Sequence, residues 1–190
     1  MSLPISTVLA HVTRRAHERM LEAVADVDEA AFARSGGTTA PSIAFHVWHT
    51  ARWADRLQAH LAGMTDEMRR RLGERQQLWT RDALAAGWGL PAGDLGEDDS
   101  GMGMDEDVSM TMPLPAKETL QQYARQAFTA ANEAVAAADD EQLTTSGIDL
   151  YGRETSVAAA VGAHIAHASR HLGMIEALKG VAGARGTASA

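Results

Sequence analysis

Residues 157–180 read VAAAVGAHIAHASRHLGMIEALKG, and the spacing within this stretch specifies a helix that carries imidazoles on its apolar side. Val157, Val161, His164, Ala168, His171 and Ile175 recur every three or four residues, a single stripe that stops before Gly180. His167 and His171 stand four apart, which in an α-helix is about 40° of rotation and about 6 Å of rise, so two rings point at one spot. His164 and His171 are separated by about 10 Å along the axis and do not converge. His167 therefore belongs to whichever pair forms. The i, i+4 spacing favours His167 with His171, and His164 with His167 stays open. A core that needed only apolar packing would not place three titratable rings here, because each must find a partner or lose its charge.

Three more stripes of the same period lie upstream. Ile5, Leu9, Val12, Ala16, Met20, Ala23 and Val27 trace one, ended by Ser35, Gly36, Gly37 and Thr38. Ile43, Val47, Ala54, Leu57 and Leu61 trace a second, with Thr39 as cap, Pro41 near the first turn and Gly63 at the close. Leu120, Tyr123, Ala127, Ala131, Val135 and Ala138 follow Pro113 and Pro115. Valine, isoleucine and aromatic residues never gather into alternating runs, so the expected fold is all-α, four amphipathic helices forming a bundle in one domain over 1–180. Residues 64–115 form an excursion between the second and third helices, helical and charged to about 86, then rich in Gly, Asp and Met without periodicity. Trp79 and Trp88 need an apolar surface, so the excursion is expected to pack over the bundle end nearest the histidines as a lid. Met102, Met104, Met110 and Met112 read as an apolar strip of that lid rather than a soft copper site. Residues 181–190 have the composition of a flexible tail.

In the second helix His46 and His49 are three apart. His46 lies nearer the centre of its stripe, His49 at the flank beside Trp53, and periodicity alone leaves both open as a third ligand. His11, His17 and His60 lack such company and read as ordinary hydrogen-bonded or solvated side chains without a partner. A three-histidine set with open positions suits a reactive rather than structural metal.

Other chemistries are excluded. With 17 Lys+Arg among 25 Asp+Glu and a net charge of -8, no basic surface for nucleic acid is expected. No cysteine is present, so disulfides, thiolate zinc sites and a protein-borne thiol are absent. The acidic GMGMDED run at 101–107 would repel phosphate. Asp55 and Glu176 have no carboxylate partner at helical spacing, against a di-iron or glycosidase pair. No apolar run approaches a membrane span, and the expected location is the cytoplasm.

HVWHTARWAD at 46–55 resembles the H-[IL]-A-x-x-E motif of the DinB superfamily, and HASRHLGMIEALKG at 167–180 resembles its H-x-x-x-H-x-G-Q-I motif. The stretch WTRDALAAGWGLP at 79–91 is similar to an insertion in members related to mycothiol-type, thiol-dependent proteins. Asp55 stands where Glu is common and Met174 where a polar residue is common. The resemblance implies an up-and-down four-helix bundle, often a homodimer, with His49, His167 and His171 as ligands of a divalent zinc, nickel or iron ion. It further implies a metal-dependent thiol transferase or isomerase that uses a low-molecular-weight thiol on an electrophilic small-molecule substrate. Arg52, one turn beyond His49, and Arg170, beside His171, are the expected contacts for an anionic thiol cofactor. The alternatives are a non-catalytic metal-binding stress or sensor protein and a plain helical dimerisation module.

Overall fold

The computed structural model describes residues 3–37, 39–91 and 93–184. In chain order the elements are α1 (Ile5–Ala25), α2 (Glu29–Ala33), α3 (Ile43–Met64), α4 (Asp66–Leu72), α5 (Leu78–Arg81), α6 (Leu84–Gly87), α7 (Glu106–Thr111), α8 (Lys117–Ala136), α9 (Asp140–Thr144), β1 (Ser146–Ile148), β2 (Glu154–Ser156) and α10 (Val157–Val181). The chain is mostly helical. Helix α1 packs on α8 and α10, and α3 packs on the same two. No helix among the described residues is long and apolar enough to cross a membrane.

The helix ends show how sequence fixes this arrangement, since the first amides and last carbonyls of a helix need partners from outside it. Ser42 and Ser156 cap α3 and α10, their hydroxyls accepting from Phe45 N and Ala159 N. Helix α1 starts at Pro4 without a side-chain cap of its own; Asp140 accepts from Ile5 N and Ser6 N instead. Its C-terminal end is held by two lysines. Lys179 Nζ, buried, donates to Ala23 O and Asp26, while Lys117 Nζ donates to Ala25 O and Val27 O. Glu29 in turn accepts from Lys117 N. Carboxylates at amino ends and ammonium groups at carboxyl ends also complement the helix dipoles.

Several expectations are corrected. The stripe assigned to α1 is right in its second half, where Met20, Ala23 and Val27 are buried, and wrong in its first: Ile5 is 63% and Val12 39% exposed, and Thr13 and His17 face the core. The first helix ends at Ala25 and a separate turn, α2, follows, capped by Asp28. The cap of α3 is Ser42 rather than Thr39. A two-stranded antiparallel sheet, Ser146 opposite Ser156 and Ile148 opposite Glu154, modifies the all-α expectation. The segment called a tail begins inside α10, which runs to Val181, and residues 185–190 lie outside the described residues. The stripe read on α10 matches its buried residues, with Lys179 added.

Helix α3 is buried on almost every side from Ile43 to Leu61, polar residues included, because the segment between α3 and α8 wraps its outer face. The wrapping is organised by one carboxylate. Asp55, fully buried, accepts from Leu78 N and Trp79 N at the start of α5, from Gln58 Nε2, from Tyr123 OH on α8 and from Arg52 Nη1. Arg52 spends its other donors on the carbonyls of Asp98 and Asp99 and on Gln77, and its guanidinium lies 4.8 Å from the Trp79 ring centroid. Burial pushes the Tyr123 hydroxyl pKa well up, so it stays a neutral donor. Asp98 and Asp99 adopt φ of 50° and 53°, a left-handed conformation that costs about 1–2 kcal/mol per residue. The two carbonyls it turns toward a buried cation offset that cost. Trp79 is 3% exposed and Trp88 is half-buried against it, ring centroids 5.4 Å apart.

Removing one partner of such a buried pair leaves a desolvated charge alone, at a cost of about 3–5 kcal/mol. Asp55→Ala is therefore expected to lose about that much stability in urea titration, and Tyr123→Phe about 1–2 kcal/mol. An Asp55→Ala midpoint equal to that of wild type would contradict this account of the wrapping segment.

Candidate metal centre

Helix α3 presents His46 and His49, and α10 presents His164, His167 and His171, across the seam where these helices pack. Three of the five rings meet. One nitrogen from each of His49, His167 and His171 lies within 4.8 Å of the others, and their ring centroids are 4.5–4.9 Å apart. His49 Nε2 and His167 Nε2 are separated by 3.0 Å. For metal–nitrogen bonds of about 2.1 Å, two ligands at a right angle stand about 3.0 Å apart. The two nitrogens thus already span one edge of a coordination polyhedron.

The other two rings have separate duties. His46 Nδ1 is 3.0 Å from His171 Nδ1, so when His171 donates through Nδ1 its Nε2 lone pair is left for a cation. His49 Nδ1 lies 2.5 Å from Ser100 O in the wrapping segment. That bond fixes the Nδ1–H tautomer and turns the Nε2 lone pair toward the cluster, the outer support that metal-binding histidines characteristically have. His164 turns away: its Nε2 is 2.8 Å from His17 Nε2, and His17 Nδ1 is 2.8 Å from Asn132 Oδ1. His17, read from sequence as partnerless, is buried in this chain and stacked on Phe128 with centroids 4.3 Å apart. His167 Nδ1 is buried without a hydrogen-bond partner among the described residues. His11 is exposed and contacts Arg14; His60 is half-buried and stands apart from the cluster.

The electrostatics suit a cation. Burial pushes His49 down to about 4, His167 to about 3 and His171 to about 2, neighbouring rings adding to the effect in each case. All three are neutral near pH 7, the state in which imidazole can ligate. Carboxylates contribute nothing to the three-residue group, so the donor set is all nitrogen and suits zinc, nickel or iron rather than magnesium or calcium.

The two arginines expected to meet an anionic cofactor differ. Arg52 is 1% exposed with its guanidinium committed to Asp55, Tyr123, Gln77 and two carbonyls. It is a structural clamp, and that expectation is corrected. Arg170 is exposed and near enough to depress the pKa of all three histidines. Sequence reasoning missed Ser100, whose backbone carbonyl carries no side-chain signature, and Gly101 beside it. A Cβ on Gly101 would lie 2.8 Å from His49 Nδ1 and 2.9 Å from the Trp48 ring, and its φ of +82° also excludes a side chain.

Comparison with known proteins gives the family and the fold. The family model of the DinB superfamily matches residues 13–175, and the chain belongs to that family. No curated protein matches. A solved structure, described as the crystal structure of the conserved protein of locus from Enterococcus faecalis, aligns at a TM-score of 0.75 with 19% identity, covering 95% of this chain and 98% of that one. It supports the fold alone.

Gly101→Ala should shift His49 and weaken nickel or zinc binding by about 10- to 100-fold, measured by competition with a chromogenic chelator; unaltered affinity would show that the Ser100–Gly101 contact does not set the ring. A second expectation concerns acid. His17 and His46 are pushed down to about 4 and His164 well below its ordinary value, all mainly by burial. The unfolded chain takes up these protons near pH 6.5 and the folded chain does not, so stability is lost as pH falls below about 6.5, and the loss continues past the folded-state values of about 4 for His17 and His46 because the other buried histidines lie lower still. Urea midpoints in chelator at pH 7.5, 6.5 and 5.5 should fall with a steepening slope, and equal midpoints would contradict the burial argument.

Proposed function

We propose that His49, His167 and His171 hold a divalent metal ion, and that the chain is a metal-dependent thiol transferase or isomerase working with a low-molecular-weight thiol on an up-and-down four-helix bundle. The convergence of three neutral imidazoles with no carboxylate carries the metal reading. Three ligands leave positions open, the feature that separates reactive from structural sites. A bound ion would supply the Lewis acidity that lowers the pKa of a thiol at an open position, chemistry that a chain without cysteine must otherwise lack.

The protein's own residues orient and shield. Ser100 and His46 hold the rings of His49 and His171 from behind. Trp53 and Tyr151 cover the outer side, Trp53 lying 5.3 Å from the His167 ring centroid and 5.5 Å from that of Tyr151, and so limit bulk water at the reacting groups. Arg170 offers the exposed cation for an anionic thiol. In this reading the wrapping segment serves as one wall and lid, through Ser100 and Gly101.

Thermal melting with and without nickel or zinc tests the site. Wild type and His60→Ala should gain stability from metal, and His49→Ala, His167→Ala and His171→Ala should gain none. Metal-loaded protein assayed with low-molecular-weight thiols and an electrophilic acceptor should then turn over in a thiol-dependent way. Metal binding without turnover across such thiols would favour a non-catalytic metal-binding protein.

A further inference from the structure

Beside the histidine cluster, between α3 and α10 and beneath the β1–β2 hairpin, lies a cavity of about 270 Å³. His167 and His164 stand among its lining residues, so it abuts the candidate metal centre. Trp53 and Leu57 of α3 contribute one wall, Ala160 and Ala163 of α10 another, and Leu150 and Tyr151 at the hairpin tip belong to the third.

Its chemistry is unlike that expected for a small polyanion. The two charged residues at its rim, Asp149 and Arg153, satisfy each other: Arg153 Nε donates to Asp149 Oδ2 at 2.9 Å, and its backbone N donates to Oδ1 of the same carboxylate. The Arg153 guanidinium also lies 4.7 Å from the Tyr151 ring centroid. His164 has its Nε2 engaged by His17. What remains is mostly aromatic and aliphatic, with Thr155 and His167 as its other polar residues. The Trp53 and Tyr151 rings, packed on each other 35° from parallel, line the cavity together with alanines of α10, and aromatic pairs favour the edge-to-face and offset contacts that a further ring could make with their edges. An apolar cavity of about 150 Å³ accommodates benzene, so this one has room for one ring or two fused rings.

We propose that this cavity binds an uncharged, planar, apolar group, a one- or two-ring aromatic moiety, and that this is the substrate class of the site. As a statement about reaction it rests on the metal reading above, because the group would be held with its reactive end toward His167. The binding itself does not. Small alanines on α10 are what leave the space: a leucine or phenylalanine at 160 or 163 would fill it.

The test uses the full chain without metal and indole as the probe, followed by calorimetry or ligand-observed NMR. Wild type should bind indole with a Kd below a few millimolar. Ala163→Phe, at an exposed position that tolerates the larger ring, should weaken binding at least 10-fold, and Tyr151→Ala, at the exposed hairpin tip, should weaken it several-fold. Both variants should keep the nickel-dependent rise in Tm, which reports that they are folded and that the histidine cluster is intact. Succinate, a dianion of similar size, should not displace indole. Indole binding that is absent in wild type, or unchanged in Ala163→Phe, would overturn the proposal, as would displacement by succinate. Loss of the nickel response in wild type with indole binding retained would overturn the metal reading and with it the claim that the cavity serves a metal-centred reaction, while leaving the ligand class supported.

Discussion

The Asp55 carboxylate, fully buried with donors from α3, α5 and α8 around it, is the constraint on which the rest of the molecule depends. A lone buried carboxylate would be prohibitively costly, and a buried ion pair with Arg52 alone would at best break even. Two backbone amides, a phenol and an amide side chain supply the remaining stabilisation. The arrangement has a directional consequence. Because two of the donors are the first amides of α5, the carboxylate locks the segment after α4 onto α3, and because Arg52 then needs acceptors, it draws in the carbonyls of Asp98 and Asp99. Ser100 is the next residue. The position of the carbonyl that orients His49 is thus fixed by a charge two helical turns away.

Much of this framework is legible in the sequence and some is not, for identifiable reasons. The stripe on α10 is read correctly because its apolar and imidazole positions are both buried and leave one phase available. On α1 the same method places Met20, Ala23 and Val27 correctly and misplaces the face over the first turns. Thr13 and His17 occupy the core, where Thr13 bonds Leu9 O one turn back and His17 bonds Asn132 of α8 and His164 of α10, and a polar residue satisfied in either way looks in sequence like a surface residue. Arg52 is the opposite case: it reads as an anion contact, yet two of its acceptors are backbone carbonyls 46 and 47 residues away. Carbonyls have no residue identity, so no sequence pattern announces them. Strands of three residues are too short to show alternation, which is why β1 and β2 escape notice.

For the histidines, spacing narrowed the choice and packing completes it. His167 and His171 converge as the helical rise requires. Between His46 and His49, periodicity favours the more central ring as the one that points inward, and His46 is indeed buried; but its contact is the back of His171 rather than the cluster. Flanking positions on two packed helices meet at the seam between them, so a site built from two flanks leaves the central positions to support it. The same geometry explains why His164, the most central ring on α10, is claimed by His17 of α1.

The two segments least predictable from sequence therefore enclose the candidate centre from different sides. The wrapping segment reaches His49 through Ser100 and Gly101, and the hairpin reaches Trp53 and the cavity through Leu150 and Tyr151. Their attachments differ in kind. Ser100 follows directly on residues bound to a buried ion pair and cannot move without exposing Arg52 to loss of its acceptors. The hairpin tip is held by its own bonds, Asp149 accepting from Tyr151 N, Arg153 N and Arg153 Nε, and by its packing on α3, where Tyr151 lies against Trp53 and His60 hydrogen-bonds the Ile148 backbone. Under the proposed function the first would keep the His49 ring turned toward an ion, and the second would border the cavity proposed for an aromatic group. The carbonyl that orients His49 and the hairpin residues that border the cavity thus have separate anchors, the Asp55–Arg52 pair for the first and Asp149 for the second.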